Sequence, residues 1–314
     1  MYINSMGCYV PSTRIDNDHF LEVNGLTSDW ILQRTGISTR SKCAVGENQH
    51  TMAVEAVDAA MQALPYPVTD VDLIIGAGYA VYDSVATTAH IVQQHWGISE
   101  AKAMYLTSAC SSFLNALETV EAFFMAGKAS KALIVCSEHN TYYSNESDPK
   151  SGHLWGDGAV AWFLSKERMA ETDWEVLSVV THGLGHVSKG PAGVRLRPRE
   201  DGITMPDGRD VFINACRYMV SSLGEAVDMA GTTMEEIRYI APHQANMRIV
   251  AQVAHQLSLP MDRFINNIQE LGNTGSASAA IVLTQRKDDV RQGDLVGLTV
   301  FGGGYSSGAA IIRK

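Results

Sequence analysis

The fold is decided by a pair of similar stretches, TSACSSFLNAL at residues 107–117 and LGNTGSASAAIVL at residues 271–283. Each is a turn of small residues that leads into an apolar run with the spacing of a helix. The strand-like and helix-like runs around the first stretch recur in the same order around the second. We therefore predict two similar halves, residues 1–168 and 169–314, that share one core. Two unrelated α/β units remain the alternative.

Short runs rich in Val, Ile and Leu alternate with helix-like runs along the whole chain, and such alternation predicts α/β layers. The segment 185–210 is rich in Gly, Pro and charge and is predicted to be a surface loop. The predicted strands cover 71–78, 131–138, 159–165, 237–244, 294–304 and 308–314, and the predicted helices cover 51–64, 111–127 and 246–257.

Composition excludes several classes of protein. The 314 residues carry a net charge of -10, whereas a nucleic-acid-binding protein needs a basic face, so nucleic acid is excluded as the main partner. An acidic partner would require a local basic patch. No apolar run approaches the roughly 18 residues that cross a membrane, and the N-terminus lacks the pattern of a signal peptide. The five cysteines are widely spaced, with no C-x-x-C pair, which predicts a reduced, cytoplasmic protein without a disulfide framework or a metal site.

Cys110 lies in the first of the two paired stretches, between the strand-like run KAMYL and a helix-like run that starts near Ser111. A free cysteine is usually a small apolar core residue. At a strand-to-helix turn, however, the free N–H groups and the dipole of the helix favour a thiolate. The residues alone leave both interpretations open, a packing residue or a nucleophile.

Two polar residues of the second half are further candidates. His243 follows the apolar run IRYIAP and precedes a helix-like run, so it is predicted to lie at the carboxyl end of a strand, where α/β sheets carry their sites. Asn273 lies in the Gly-flanked turn of the second paired stretch. A satisfied polar histidine and an asparagine that serves its own turn are the alternatives at these positions.

The segment FGGGYSSGAA at 301–310 contains three consecutive glycines. A phosphate-binding loop is excluded, because a strand rather than a helix follows and no Gly-Lys-Ser/Thr occurs. Glycines before a strand permit a tight turn or a close approach of the backbone to a ligand. A backbone N–H of this segment is therefore a candidate oxyanion donor.

Together, SAC before a helix, PHQAN at 242–246, GNTGSAS at 272–278 and FGGG at 301–304 resemble the β-ketoacyl-acyl carrier protein synthase III family of the thiolase superfamily. The resemblance covers essentially the whole chain and includes GDGA at 156–159. It implies an α/β protein with the thiolase-like five-layer αβαβα fold, built from two duplicated βαβαβαββ halves, and a homodimer.

The resemblance also implies the reaction. An acyl group would pass from acyl-CoA or acyl-ACP to Cys110 and then condense with a malonyl thioester, with loss of CO2, to give a β-ketoacyl product for fatty acid or polyketide-type biosynthesis. His243 and Asn273 would hold the thioester carbonyl of the malonyl unit, because an enolate oxygen needs neutral donors. The N–H groups of Cys110 and Gly303 would form the oxyanion hole. No cofactor is implied, since coenzyme A or phosphopantetheine acts only as the carrier of the substrates.

Four residues resemble the family's substrate-binding positions. Trp30 and Arg34 would flank the coenzyme A adenine and phosphates, and their i,i+4 spacing puts them on one face of a helical turn. A core role for Trp30 is the alternative. Asn246 resembles a tunnel residue, and Arg248 resembles a cation at the entrance that would also meet the acidic acyl carrier protein.

Several residues depart from the family pattern. Ser112 replaces a glycine of CxGF beside the expected acyl pocket, and Gly275 and Ser276 alter the common GNTSAAS. The arginine usually found before GDGA is absent, with Lys150 at best in its place, and Ile213 stands where a basic residue is usual. These departures bear on the primer and its carrier. A related acyltransferase, which passes the acyl group from Cys110 to an alcohol or amine without forming a C–C bond, is the alternative function.

Overall fold

The structure is a computed structural model that describes all 314 residues. The strands are β1 (Tyr2–Tyr9), β2 (Arg14–Asp16), β3 (Thr39–Ser41), β4 (Leu73–Ala77), β5 (Lys102–Leu106), β6 (Lys131–Glu138), β7 (Gly158–Ser165), β8 (Trp174–Gly183), β9 (Arg195–Arg197), β10 (Gly202–Thr204), β11 (Ile237–Pro242), β12 (Leu295–Gly302) and β13 (Ser306–Arg313). The α-helices are α1 (Asp18–Asn24), α2 (Ser28–Thr35), α3 (Gln49–Met61), α4 (Thr88–His95), α5 (Ser112–Met125), α6 (Asn140–Tyr143), α7 (Gly208–Met229), α8 (Met247–Gln256), α9 (Ile268–Leu271) and α10 (Ser278–Gln285). No helix is both long enough and apolar enough to cross a membrane.

The main sheet consists of two sub-sheets with the same topology. The first has the order β5-β4-β6-β7-β1 and the second the order β11-β12-β13-β8. In both, the strand before the central helix runs parallel to its neighbour, and the last two strands are antiparallel. The place that β5 takes in the first sub-sheet is reduced in the second to a single bridge between Ile240 and Phe264. The predicted duplication is therefore confirmed strand by strand.

Three layers of helices enclose the two sub-sheets. Helices α3 and α4 pack on the outer face of the first sub-sheet, and α7 and α8 pack on the outer face of the second. Helices α5 and α10, one from each paired stretch, lie between the sub-sheets in the largest apolar cluster. This is the predicted five-layer αβαβα arrangement, and the two halves share its middle layer.

The chain passes from one half to the other between β7 and β8, where the 168/169 division falls. The sub-sheets touch at this point through antiparallel pairs of Tyr2 with Glu175 and Ile3 with Trp174. Strands β6 and β7 are almost wholly buried, which explains their uninterrupted apolar sequences. The segment 185–210 is not only a loop, because it contains the hairpin β9–β10.

Candidate active site

Cys110 lies in a tight turn between β5 and α5, where the sequence placed it. Ala109 has a positive φ of 49°, a conformation that is uncommon for residues other than glycine. The Ser112 hydroxyl accepts a hydrogen bond from the Ser108 N–H at 2.8 Å and donates one to the Ala109 carbonyl at 2.6 Å. This side chain therefore closes the turn that presents the Cys110 thiol.

The expectation that Ser112 lines the acyl pocket is wrong. Its side chain is fully buried, and it lines neither of the cavities that reach Cys110. The hydroxyl is already used within the turn, since serine readily bonds to nearby backbone groups. Ser112 thus acts on the geometry of the nucleophile rather than on the width of the pocket.

The glycines that end β12 press against the same turn. A Cβ at position 302 would lie 2.6 Å from the Cys110 nitrogen, so only glycine allows this approach. The next residue, Gly303, directs its backbone N–H at the Cys110 sulfur. Gly303 is therefore close enough to form an oxyanion hole together with the N–H of Cys110.

His243 and Asn273 face Cys110 across one cavity of about 420 Å³. His243 follows β11, and its Nδ1 lies 2.8 Å from the Ser278 hydroxyl at the start of α10. Asn273 Oδ1 accepts a hydrogen bond from the Gly275 N–H at 3.0 Å, which leaves the Nδ2 donor free for the cavity. The structure thus brings the three side chains together from three different segments.

Burial controls the protonation of the site. It lowers the pKa of His243 to about 4, a shift that a hydrogen bond to the Gly275 backbone partly offsets, so the ring is neutral at pH 7. Burial, aided by the Glu138 carboxylate, raises the pKa of the Cys110 thiol to about 12. In the resting protein the helix N-terminus does not prevail over burial, so the thiol is protonated and needs a base when it reacts.

The entrance to the site is a second cavity, of about 780 Å³, that shares Met205, Val211, Ala245 and Ile249 with the first. Trp30, Arg34, Asn246 and Arg248 all line it, together with Lys150. The Arg34 guanidinium lies 5.2 Å from the centre of the Trp30 ring, so the two share one face as predicted. Trp30 is 38% exposed and is not a core residue.

The sequence reasoning missed two residues at this entrance. Arg209 lines an adjoining cavity with Arg34 and Arg248. The available signal was its place in the first turn of a long helix, but the search was for a basic residue after Phe212. His153 packs edge-on against Trp30 at 5.6 Å, in the region where the family arginine is absent.

A third cavity, of about 680 Å³, opens on the other side of Cys110. The hairpin β9–β10 covers it through Arg195, Leu196 and Ile203, and Tyr79 and Thr107 form part of its wall. This chamber and the entrance cavity lie on opposite sides of the nucleophile. The arrangement provides one compartment for an acyl chain and another for the arm of a carrier.

One cluster away from these cavities has ligand-type side chains. Atoms of Cys43, His139 and Asp157 lie within 4.8 Å of one another. The Asp157 carboxylate, however, already accepts hydrogen bonds from the Cys43 N–H, the Thr141 N–H and the Thr141 hydroxyl. Those bonds tie the GDGA segment to its neighbours and account for the buried carboxylate.

Comparisons with known proteins agree with this geometry. The family described as 3-Oxoacyl-[acyl-carrier-protein (ACP)] synthase III matches residues 104–185, and its C-terminal counterpart matches residues 227–314. A beta-ketoacyl-[acyl-carrier-protein] synthase III of Clostridium perfringens is 33% identical, with 98% of this chain and 97% of the relative aligned. The 3-oxoacyl-[acyl-carrier-protein] synthase III of Aquifex aeolicus superposes with a TM-score of 0.92 at 30% identity, over 100% of this chain and 99% of that one. The priming β-ketosynthase of the R1128 polyketide pathway superposes with a TM-score of 0.90 at 25% identity, over 99% of this chain and 95% of that one.

Proposed function

Since the chain belongs to the β-ketoacyl-[acyl-carrier-protein] synthase III family of condensing enzymes of fatty acid biosynthesis, we propose that it joins an acyl group held on Cys110 to a malonyl unit, with loss of CO2. The observation that carries this proposal is the meeting of two compartments at one cysteine. The entrance cavity and the acyl chamber both end at Cys110, and His243, Asn273 and Gly303 surround that point.

The first step loads the acyl group. The Cys110 thiol gives its proton to the neutral imidazole of His243, and the sulfur attacks the carbonyl carbon of the acyl thioester. The new S–C bond forms and the S–C bond to the carrier breaks, so that the departing carrier thiolate takes the proton from His243. The N–H groups of Cys110 and Gly303 hold the oxyanion in the transition state.

The second step forms the C–C bond. Loss of CO2 from the malonyl thioester leaves an enolate, whose oxygen accepts hydrogen bonds from His243 and Asn273. The enolate carbon attacks the acyl carbonyl, the Cys110 S–C bond breaks, and the sulfur recovers a proton from solvent. Two neutral donors suit this step, because they stabilise the developing charge without giving up a proton to the enolate carbon.

The carriers would occupy the entrance. Trp30 offers an aromatic face to an adenine, and the guanidinium groups of Arg34, Arg209 and Arg248 suit phosphate groups or an acidic carrier protein. Coenzyme A or phosphopantetheine would serve here as part of the substrate. No resident cofactor has a role in the two steps.

A homodimer also belongs to this proposal. Strand β5 pairs only with β4, so one edge of the sheet has free backbone N–H and C=O groups. A second copy that adds to this edge would cover them. The mass of the protein in solution, compared with 34.1 kDa for one chain, tests this point.

The test of the function separates condensation from simple acyl transfer. The purified protein is incubated with an acyl-CoA panel, malonyl-ACP labelled in its free carboxyl group, and in a parallel reaction an alcohol or amine acceptor. We expect labelled CO2 and a β-ketoacyl product in equal amounts, both abolished in Cys110→Ala. Ester or amide formation without CO2 would establish the acyltransferase alternative. Full turnover of Cys110→Ala would refute both functions.

The acyl panel also addresses the pathway. The priming β-ketosynthase of the R1128 pathway is a structural neighbour, and we include a polyketide-type primer among the candidate substrates for that reason. Mass spectrometry of Cys110 after each acyl thioester identifies the preferred primer. The preference would be for plain alkyl primers in fatty acid biosynthesis and for an unusual primer in a specialised pathway.

A further inference from the structure

Tyr79 has a buried hydroxyl that the proposed reaction does not yet use. The residue follows β4 and forms part of the acyl chamber wall beside Cys110. Its oxygen is shielded from solvent and has no hydrogen-bond partner of ordinary length. A buried hydroxyl without a partner costs free energy, so its position requires an explanation. The polar group that it faces is the Cys110 thiol.

Gly275 makes room for this hydroxyl. A Cβ at position 275 would lie 2.7 Å from the Tyr79 oxygen, closer than such atoms can approach. The φ of Gly275 is also positive, at 62°, which favours glycine. This is the position at which the sequence departs from the serine of GNTSAAS. The glycine and the tyrosine therefore fit each other.

The backbone of Tyr79 is held from behind by Glu138. This fully buried carboxylate accepts the N–H of Tyr79 at 3.2 Å and that of Ala80 at 2.9 Å. Ser276, the second departure in the same motif, donates its hydroxyl to Glu138, and the same hydroxyl lies 3.0 Å from the Cys136 sulfur. Glu138 lines none of the cavities that reach Cys110, so it positions Tyr79 rather than touching substrate.

We propose that Tyr79 is a further catalytic residue, whose hydroxyl donates a hydrogen bond to the Cys110 sulfur whenever that sulfur carries negative charge. This inference rests on the proposed function. The charge arises twice, when the sulfur attacks the acyl thioester and when it leaves the condensed product. The tyrosine keeps its proton throughout, so the balance of each step is unchanged. A contact that is loose in the resting protein is expected to tighten as charge develops, as is common for catalytic hydrogen bonds.

The electrostatics agree with a donor role. Burial and the nearby Cys110 and Glu138 groups raise the pKa of Tyr79 well above its ordinary value, so the hydroxyl is protonated across the working range. In return, the hydroxyl lowers the pKa of Cys110 against the larger effect of burial. The titratable groups around the sulfur are Tyr79 after β4, Cys136 and Glu138 on β6, and His243 after β11.

The experiment measures the reactivity of Cys110 without any acyl substrate. Alkylation by iodoacetamide is followed by mass spectrometry of the Cys110 peptide across a range of pH for the native protein, Tyr79→Phe and the surface control Tyr82→Phe. We expect Tyr79→Phe to shift the alkylation profile to higher pH and to slow acylation of Cys110 by about tenfold, since a hydrogen bond to a charged group is lost. Tyr82→Phe is expected to match the native protein.

A second variant guards against a misfolded first one. Gly275→Ser restores the family residue and displaces the Tyr79 hydroxyl, so it is expected to shift the profile in the same direction, with no further shift in the double variant with Tyr79→Phe. Unchanged profiles and acylation rates in folded Tyr79→Phe would overturn the inference. Because alkylation needs no malonyl substrate, a protein that fails to condense would refute the proposed function without affecting this test.

Discussion

At the scale of single residues, the neutral state of His243 is the property on which the second step depends. Burial holds its pKa near 4, well below the 6.5 of an exposed histidine, so the ring gains its charge only as the pH falls toward 4. With the Ser278 hydroxyl as donor to Nδ1, the proton of the neutral ring is on Nε2. Ser278 would thus determine which nitrogen can donate to the enolate oxygen.

Replacing Ser278 tests this assignment. In Ser278→Ala the Nδ1 atom loses its partner, so both tautomers become populated and the ring can rotate. We expect kcat for condensation to fall about tenfold, with little change in KM for the malonyl thioester, because the donor is needed mainly in the transition state. Steady-state kinetics of CO2 release provide the measurement.

The control for this change is Ser222→Ala. Ser222 is equally buried, and its hydroxyl lies 2.9 Å from that of Ser307 on the other side of the second sub-sheet. It should lower stability without lowering kcat. Equal losses of kcat in both variants would mean that Ser278 contributes only to packing.

At the scale of elements, the site depends on how closely β12 approaches the turn before α5. The two belong to different halves of the chain, and Gly302 forms the point of contact with Cys110. This packing places the Gly303 N–H beside the sulfur. The oxyanion hole is therefore a product of the docking of the halves as well as of either sequence motif.

Gly302→Ala should separate these two elements. The added methyl group would lie 2.6 Å from the Cys110 nitrogen and 3.1 Å from its Cα, so the strand or the turn must move. We expect a loss of stability of about 1–3 kcal/mol from overpacking, and acylation of Cys110 slowed far more than that loss explains. Thermal unfolding and the rate of acylation by an acyl-CoA are the two measurements.

A matched glycine change shows whether the effect is specific. Gly224 lies within α7, and a Cβ there would meet no atom within 4 Å. Gly224→Ala is therefore expected to stabilise the helix by up to about 1 kcal/mol and to leave acylation unchanged. Native rates of acylation in Gly302→Ala would show that the close approach is not needed for the oxyanion hole.

The regular elements were accessible from the sequence because each follows one local pattern. The apolar runs of β6 and β7 predict buried strands, and the paired stretches predict α5 and α10. The hairpin β9–β10 was missed, since its strands have three residues each and lie among glycines, prolines and charges. Pattern length, more than composition, set the limit.

The residues of the site divide in the same way. Cys110, His243 and Asn273 lie in distinctive motifs, and the structure places all three around one cavity. Ser112 was misassigned because the direction of its hydroxyl depends on the backbone turn. Tyr79 has no local signal at all, since its relation to Cys110 arises only when β4 and β5 lie side by side.

At the scale of the whole molecule, charge is unevenly distributed. The chain has a net charge of -10, yet Arg34, Arg209 and Arg248 gather at the entrance with Lys150 nearby. None of these four side chains forms a salt bridge within the protein. They provide the local basic patch that an acidic partner requires on an acidic protein. The surrounding negative charge would at the same time repel such a partner from other faces.

Charge reversal at the entrance tests whether this patch guides a carrier protein. We expect Arg248→Glu to lower kcat/KM for malonyl-ACP by about tenfold at low salt, with a smaller effect at high salt, because screening weakens attraction between separated charges. Lys166→Glu is the control, since this exposed residue follows the end of β7 opposite Gly158. It adds the same negative charge at a distance from the entrance and should leave kcat/KM nearly unchanged. Equal losses in the two variants would assign the effect to net charge, whereas no loss in Arg248→Glu would show that the carrier protein docks elsewhere.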